Sequence, residues 1–393
     1  MHRVFLLAVG TFALGMGTFI ISGLIPEIAT ATHTAESMVG QMVTVFTLCY
    51  AVSGPLLSSV LTRLSTKTIL LASIIVFTIG NIGTAASESF AVLLLSRAVA
   101  GVGAGLYSPT AAAAAAYLVS PEQRGRALSV ILGGLSVGTV VGVPLGMLLA
   151  RAQGWQSALW LLSAVGIVAT IGIARFMPRL QVGAPPGIKA RLGTLVDRRV
   201  TPIVLVSVLF NIASLGLYTY IAPVLRATAG ITNPTLYLWI WGIGGIIGAF
   251  AIGPFIDRSS STTRVMLVVL AALIVAMAAI TPAGSVIVVL CVAVAVWGAA
   301  GFGSPPPQQH LLLERAPDRG AVAVAVNASA IYLGSAIGSS LGGLALHAGV
   351  SAAALPMFAS GFAVLAAIAY VTRVMPNRAP NIATRSVPSE EKG

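Results

Sequence analysis

Arg97 stands alone as a cation inside an apolar run, between Leu93-Leu94-Leu95-Ser96 and Ala98-Val99-Ala100-Gly101-Val102-Gly103. Within hydrocarbon a guanidinium costs about 2.5–3.5 kcal/mol on insertion scales, so its presence there points to a task. It offers a fixed positive charge and a fork of donors. The bland alternative is an arginine that snorkels or caps carbonyls of a neighbouring helix. Two titratable groups could move a proton near such a charge. His310 follows Gln309 in a proline-rich stretch, and Glu27 follows Pro26. The ten acids are Glu27, Glu36, Glu88, Glu122, Asp197, Asp257, Glu314, Asp318, Glu390 and Glu391, all read at span ends, in loops or in the tail. No cluster of His, Cys, Asp or Glu occurs inside an apolar run, so neither a metal site nor an enzyme's nucleophile with its base is expected, and no cofactor is implied.

The elements that must hold these residues are membrane spans. The chain has 393 residues, of which 57% are hydrophobic and 8% charged, a composition far from that of soluble domains. Apolar runs of roughly 20 residues, the length that crosses a bilayer core of about 30 Å, recur twelve times. The runs lack the alternation of a barrel strand, so the expected fold is an all-α membrane protein. Nineteen of the 22 lysines and arginines fall on one side of these spans, with Arg151 and Arg226 on the other and Arg97 within. That asymmetry predicts both termini in the cytoplasm of a cell membrane and explains the net charge of +12 without a nucleic-acid partner. Cys49 and Cys291 fall inside spans and read as small core residues. The opening apolar run is long for a signal peptide and reads as the first span.

A basic, polar stretch at 178–200, carrying Pro185-Pro186-Gly187, divides the chain into a six-helix half at 1–177 and another at 201–375, followed by a tail at 376–393. The halves echo one another at a shift of about 196 residues. Ser108-Pro109 answers Ser304-Pro305, and Gly138, Gly142 and Gly146 answer Gly334, Gly338 and Gly342. Such glycine ladders allow close helix packing. Two parallel halves predict a substrate site between them near mid-membrane, worked by rocking. The counterpart of Arg97 is Ala293, so only the first half carries the cation. Pro305-Pro306-Pro307 should break the tenth span.

These residues resemble the major facilitator superfamily, and within it the twelve-span drug:proton antiporters of the arabinose-efflux and chloramphenicol-efflux kind. The family's fourth-span pattern is met at Leu93, Arg97, Gly101, Gly103 and Ala104, and its fifth-span antiporter motif at Gly138, Gly142 and Gly146, with Pro144 one place late. The loop motif of the family is kept at Gly253, Asp257 and Arg258, and partly at Ser58, Thr62 and Arg63, which implies a cytoplasmic latch. The resemblance implies two pseudo-symmetric six-helix halves, export of a small drug-like or sugar-like solute in exchange for protons, and a proton-transfer role for Arg97. It also implies a cavity to which Thr18, Tyr107, Asn211, Tyr218, Tyr220 and Gln308 contribute. Gly17-Thr18-Phe19 stands where such antiporters commonly carry an acid, which leaves Glu27, His310 or uncoupled diffusion as alternatives. The expected partners are substrate, protons and lipid, around a monomer; an uptake transporter of the same fold is a further alternative, and a non-transporting receptor or sensor is the reading from another class. Tyr237, Trp239 and Trp241 read as interfacial anchors.

Overall fold

The computed structural model describes residues 1–57, 64–180, 188–259 and 261–375. Among these there is no strand, and twelve helices are long and apolar enough to cross a bilayer. Spans 1 to 6 are His2–Ala31, Glu36–Leu57, Thr66–Ala86, Phe90–Tyr117, Pro121–Gln153 and Gln156–Phe176. Spans 7 to 12 are Thr201–Thr219, Thr235–Arg258, Thr262–Ile280, Ile287–Arg315, Pro317–His347 and Ala352–Val374. Their outward surface is oily: Phe250 is 80% exposed, Val288 72% and Leu95 66%. Water would not tolerate so continuous an apolar exterior, whereas acyl chains solvate it. The chain is a multi-pass membrane protein.

One end of the bundle holds the start of span 1, the end of span 12 and the stretch between the halves; it carries most of the cations and is called the basic end below. The far end holds the connections after spans 1, 3, 5, 7, 9 and 11. Three of them turn on a glycine at a positive φ that a residue with a Cβ rarely adopts, Gly154 at φ 87°, Gly230 at φ 67° and Gly349 at φ 85°. Span 7 is followed at that end by a separate short helix, Ile221–Ala229.

The glycine ladders build the two halves in the same way. Span 5 lays Gly134, Gly138, Gly142 and Gly146 along span 1 at Ala8, Phe12, Met16 and Ile20; a Cβ on Gly134 would lie 2.6 Å from Ala8 O, and one on Gly146 2.6 Å from Ile20 Cδ1. Span 11 lays Gly334 and Gly338 along span 7 at Val208, Ile212 and Gly216, 196 residues further on. Between Gly138 and Gly142 span 5 widens into a π-turn, with Val143 N–H donating to Gly138 O. Pro144 follows directly and has no N–H for the carbonyl four residues back. Span 11 keeps a regular helix over Gly320–His347. Span 10 breaks where its prolines require, into Ile287–Gly303 and Pro305–Arg315.

The halves meet along two seams. Span 2 packs on span 11, and the outer part of span 5 on span 8, where Gly242 receives Val140. Spans 1 and 7 meet toward the far end, through the helix Ile221–Ala229.

Candidate functional site

Arg97 is fully buried among spans 1 to 4. Its Nη2 donates to the main-chain carbonyl of Gly17 at 2.7 Å, its Nη1 to Asn81 Oδ1 at 3.2 Å, and its Cζ lies 4.1 Å from the centre of the Phe46 ring. Asn81 is oriented in turn by its own donation to Phe77 O at 2.7 Å. The glycines explain how span 4 comes close enough. A Cβ on Gly101 would strike Phe46 O of span 2, and one on Gly103 would lie 2.5 Å from Ser73 O of span 3. Every acceptor around the guanidinium is neutral, and Phe46 adds only the negative face of its ring. On the span 1 side of this cradle the acceptor is the backbone oxygen of Gly17.

Span 1 is gripped in the same manner at other points. Tyr107 donates to Leu7 O at 3.0 Å, Thr11 to Ile131 O at 2.8 Å and Thr139 to Gly15 O at 3.2 Å. Thr18 turns its hydroxyl back to Leu14 O at 2.7 Å within its own helix.

In the second half the break in span 10 is knitted by side chains. Gln308 donates to Ser304 Oγ at 2.8 Å and accepts from Ser207 Oγ and from Asn327 Nδ2, the latter at 3.3 Å, tying spans 7, 10 and 11. Asn211 donates to Ser207 O. One helical turn or more away lies an aromatic cluster: Tyr218 meets Phe19 across the halves at 5.1 Å, Trp241 at 4.3 Å and Trp297 at 6.1 Å between ring centres. Trp297 Nε1 donates to Ser214 Oγ at 3.0 Å, while the buried Trp241 Nε1 has no hydrogen-bond partner among the described residues. The expectation that Tyr237 and Trp241 anchor span 8 at the lipid surface is corrected: they are 5% and 1% exposed, because span 8 turns that face inward, with Trp241 against Tyr218 and Trp297 of spans 7 and 10. An unmet indole donor among rings packed at a tilt or edge to face can bind an acceptor on a flat or apolar solute.

The seam between spans 2 and 11 is closed by polar and aromatic contacts that reach from the far end inward. Arg226 pairs with Glu36 at 2.7 Å, Thr44 bonds Ser339 at 2.9 Å, and Tyr220, packed against Gly40, donates to Ser339 O at 2.7 Å. Deeper, Tyr50 and Tyr332 stack with ring centres 3.7 Å apart. Because Thr44 and Ser339 hydroxyls already touch, a Thr44→Cys/Ser339→Cys pair should form a disulfide under mild oxidant and stop transport, with activity returning on reduction. Oxidised protein that transports normally would show that this seam does not open in the cycle.

Of the residues singled out in the sequence, Arg97 and Tyr107 are brought together around span 1, and Tyr218 and Tyr220 lie on contacts between the halves. Asn211 and Gln308 share the network of spans 7, 10 and 11, while Gly138, Gly142 and Gly146 line the back of span 1 and Pro144 is buried just beyond the π-turn. Glu27 is exposed at the far end of span 1, ten residues and about 15 Å of helix beyond Gly17. His310 is exposed on the basic half of span 10, and Asp257 and Arg258 are exposed at the end of span 8. Arg63 lies outside the described residues. Sequence reading passed over Asn81, Phe46, Tyr50, Tyr332 and the Glu36–Arg226 pair. The available signal for Asn81 was an amide inside span 3.

A family model described as Major Facilitator Superfamily matches residues 7–339. The chain belongs to that superfamily. Among curated relatives, it is 29% identical over 362 residues to the inner membrane transport protein YdhP of Escherichia coli O157:H7, covering 92% of each chain. It is 31% identical over 266 residues to a chloramphenicol resistance protein of Streptomyces lividans, covering 65% of this chain and 67% of that one. The fold matches a solved D-xylose-proton symporter at TM-score 0.74 and 17% identity, over 94% of this chain and 97% of that one. Membership supports a secondary transporter that takes a small molecule through the membrane.

Proposed function

We propose that this major facilitator protein exports a small organic solute, drug-like or sugar-like, by alternating access, with the basic end cytoplasmic and with exchange for protons. The observation that carries the reading is the buried Arg97 on the wall of span 1 opposite the antiporter-type glycine face of span 5. A rigid charge and a close-packed rocker thus act on one helix. The likeness to a protein named for chloramphenicol resistance supports export and a solute of that size. Closure at the far end by Glu36–Arg226 and Thr44–Ser339 supports a cycle in which solute is collected from the basic end and released at the far one.

The cation asymmetry supports the orientation. Thiols introduced at Thr34 and Ser87 should react with an impermeant reagent added outside intact cells, whereas one at Ala184 should react only after lysis. The opposite pattern would invert the direction proposed.

One observation favours a second reading, uncoupled facilitated diffusion: among the described residues no carboxylate stands beside Arg97, and Glu27 and His310 are both exposed. Proteoliposomes with and without an imposed pH gradient separate the two. Coupled export accumulates solute against its gradient, collapses with a proton ionophore, and loses its pH dependence in Glu27→Gln or His310→Gln while downhill exchange persists. Transport indifferent to the pH gradient, the ionophore and both substitutions would leave diffusion or another ion.

A further inference from the structure

The stretch that joins the halves contains a helix, Ile188–Leu195, packed on spans 2, 7 and 11 at the basic end. Its hydrogen bonding runs on to Val196, whose N–H donates to Leu192 O at 3.3 Å. The helix is turned the wrong way for water. Arg191 and Thr194 are 5% and 0% exposed on the face toward the bundle, whereas Leu192, Leu195 and Val196 are 54%, 37% and 79% exposed. A surface helix between protein and water buries its leucines and exposes its polar groups. This one does the reverse, which fits a surface bathed by acyl chains. Burial also lowers the Arg191 guanidinium from its ordinary value.

Charge brackets the exposed apolar face. Lys189 lies one turn before Leu192, and Arg198 and Arg199 follow Val196; all three are exposed. The nearby acid, Asp197, is engaged by the N–H of Arg199 at 2.9 Å. Beside the helix a cavity of about 450 Å³ is lined mostly by apolar side chains, among them Leu192 and Leu195, Val52 and Leu56 of span 2, Leu205 of span 7 and Leu333 of span 11, with Arg191 also in its wall. Its walls therefore come from both halves. An apolar groove beside a helix whose two ends carry exposed cations matches the two parts of a phospholipid, an acyl chain and a phosphate.

We propose that the linker helix is an anionic-lipid site: Leu192, Leu195 and Val196 sit among acyl chains of the leaflet at the basic end, one chain entering the groove, while Lys189, Arg198 and Arg199 hold the headgroup phosphate. A lipid seated there touches span 2 of one half and spans 7 and 11 of the other, so its occupancy bears on how the halves move.

The test uses the full-length protein carrying Cys49→Ala, Cys291→Ala and Val196→Cys, labelled with an environment-sensitive fluorophore and reconstituted into phosphatidylcholine vesicles with or without phosphatidylglycerol. The expected result is quenching by lipids brominated high on the acyl chain and protection from aqueous iodide. Quenching should strengthen with phosphatidylglycerol, and that increment should be lost in Lys189→Glu/Arg198→Glu/Arg199→Glu. Lipid quenching that is the same in both vesicle types would overturn the headgroup assignment. Iodide quenching without lipid quenching would overturn the site altogether and leave the apolar face to water or a soluble partner. No transport is measured, so failure here is independent of the exchange reaction proposed above.

Discussion

Arg97→Ala should fold, reach the membrane and transport at less than about a tenth of the native rate. Two opposing effects set the stability. The substitution leaves Gly17 O and Asn81 Oδ1 without their donor, at about 1–3 kcal/mol for each buried unsatisfied group. It also removes a desolvated charge that no carboxylate compensates, and that relief is of similar size. The melting temperature should therefore move little. Function has no such offset. A guanidinium that grips span 1 through charge-assisted bonds, each about 1.5–3 kcal/mol, can favour one arrangement of that span over another by that amount. Losing about 3 kcal/mol of preference shifts a two-state balance by roughly a hundredfold. Arg97→Lys keeps the charge but not the fork, and cannot serve Gly17 O and Asn81 Oδ1 in the same geometry, so its rate should fall between the two. Solute flux per unit of reconstituted protein, read beside a thermal melt, decides it. Native flux from well-folded Arg97→Ala would reduce the residue to packing.

The second large effect is steric. Gly138→Ala adds one methyl group against Phe12 O, and Gly338→Ala one against Ile212 O and Gly216 Cα; in both cases the obstacle is backbone of the neighbouring helix, which cannot rotate aside. The spans must part, costing about 1–3 kcal/mol each by the usual measure of overpacking. Gly133→Ala, five residues earlier on span 5, meets nothing within 4 Å and should gain up to about 1 kcal/mol from helix propensity. Opposite signs from the same chemical change on one helix are the test. Melts of the three variants in detergent should fall, fall and hold or rise. A native melting temperature for Gly138→Ala would mean that spans 1 and 5 are packed more loosely than the ladder requires.

Much of this was legible in the sequence, and the reasons differ by residue. The twelve spans follow from run length and hydropathy, which are local properties. The paired ladders follow from a four-residue spacing repeated 196 residues on, and each ladder meets the expected kind of surface. Arg97 was conspicuous because charge is rare in such runs. What holds Arg97 was not legible: its shortest bond goes to a main-chain oxygen, which every residue possesses and no sequence pattern marks. Asn81 sits 16 positions away in the chain and becomes a neighbour only when spans 3 and 4 fold together. Tyr50 and Tyr332 are coupled across the whole molecule for the same reason. Trp241 misled because position near a span end resembles an anchor, whereas the direction in which a helix turns its faces depends on what packs beside it.

The two seams between the halves have one further meaning. Span 2 packing on span 11 and span 8 packing on span 5 are the same contact made twice, since spans 2 and 8, like spans 5 and 11, are counterparts under the repeat. A patch that meets its own complement through a two-fold axis is the interface of a symmetric dimer. Two copies of a single six-helix polypeptide, inserted the same way round, could make both seams at once. Joined by a tether such as residues 178–200, they would become one gene product whose copies were then free to diverge. Arg97 answered in the repeat by Ala293, and Trp297 by Gly101, are the marks of that divergence: the axis survives in the backbone packing while the chemistry on either side of it has become unlike.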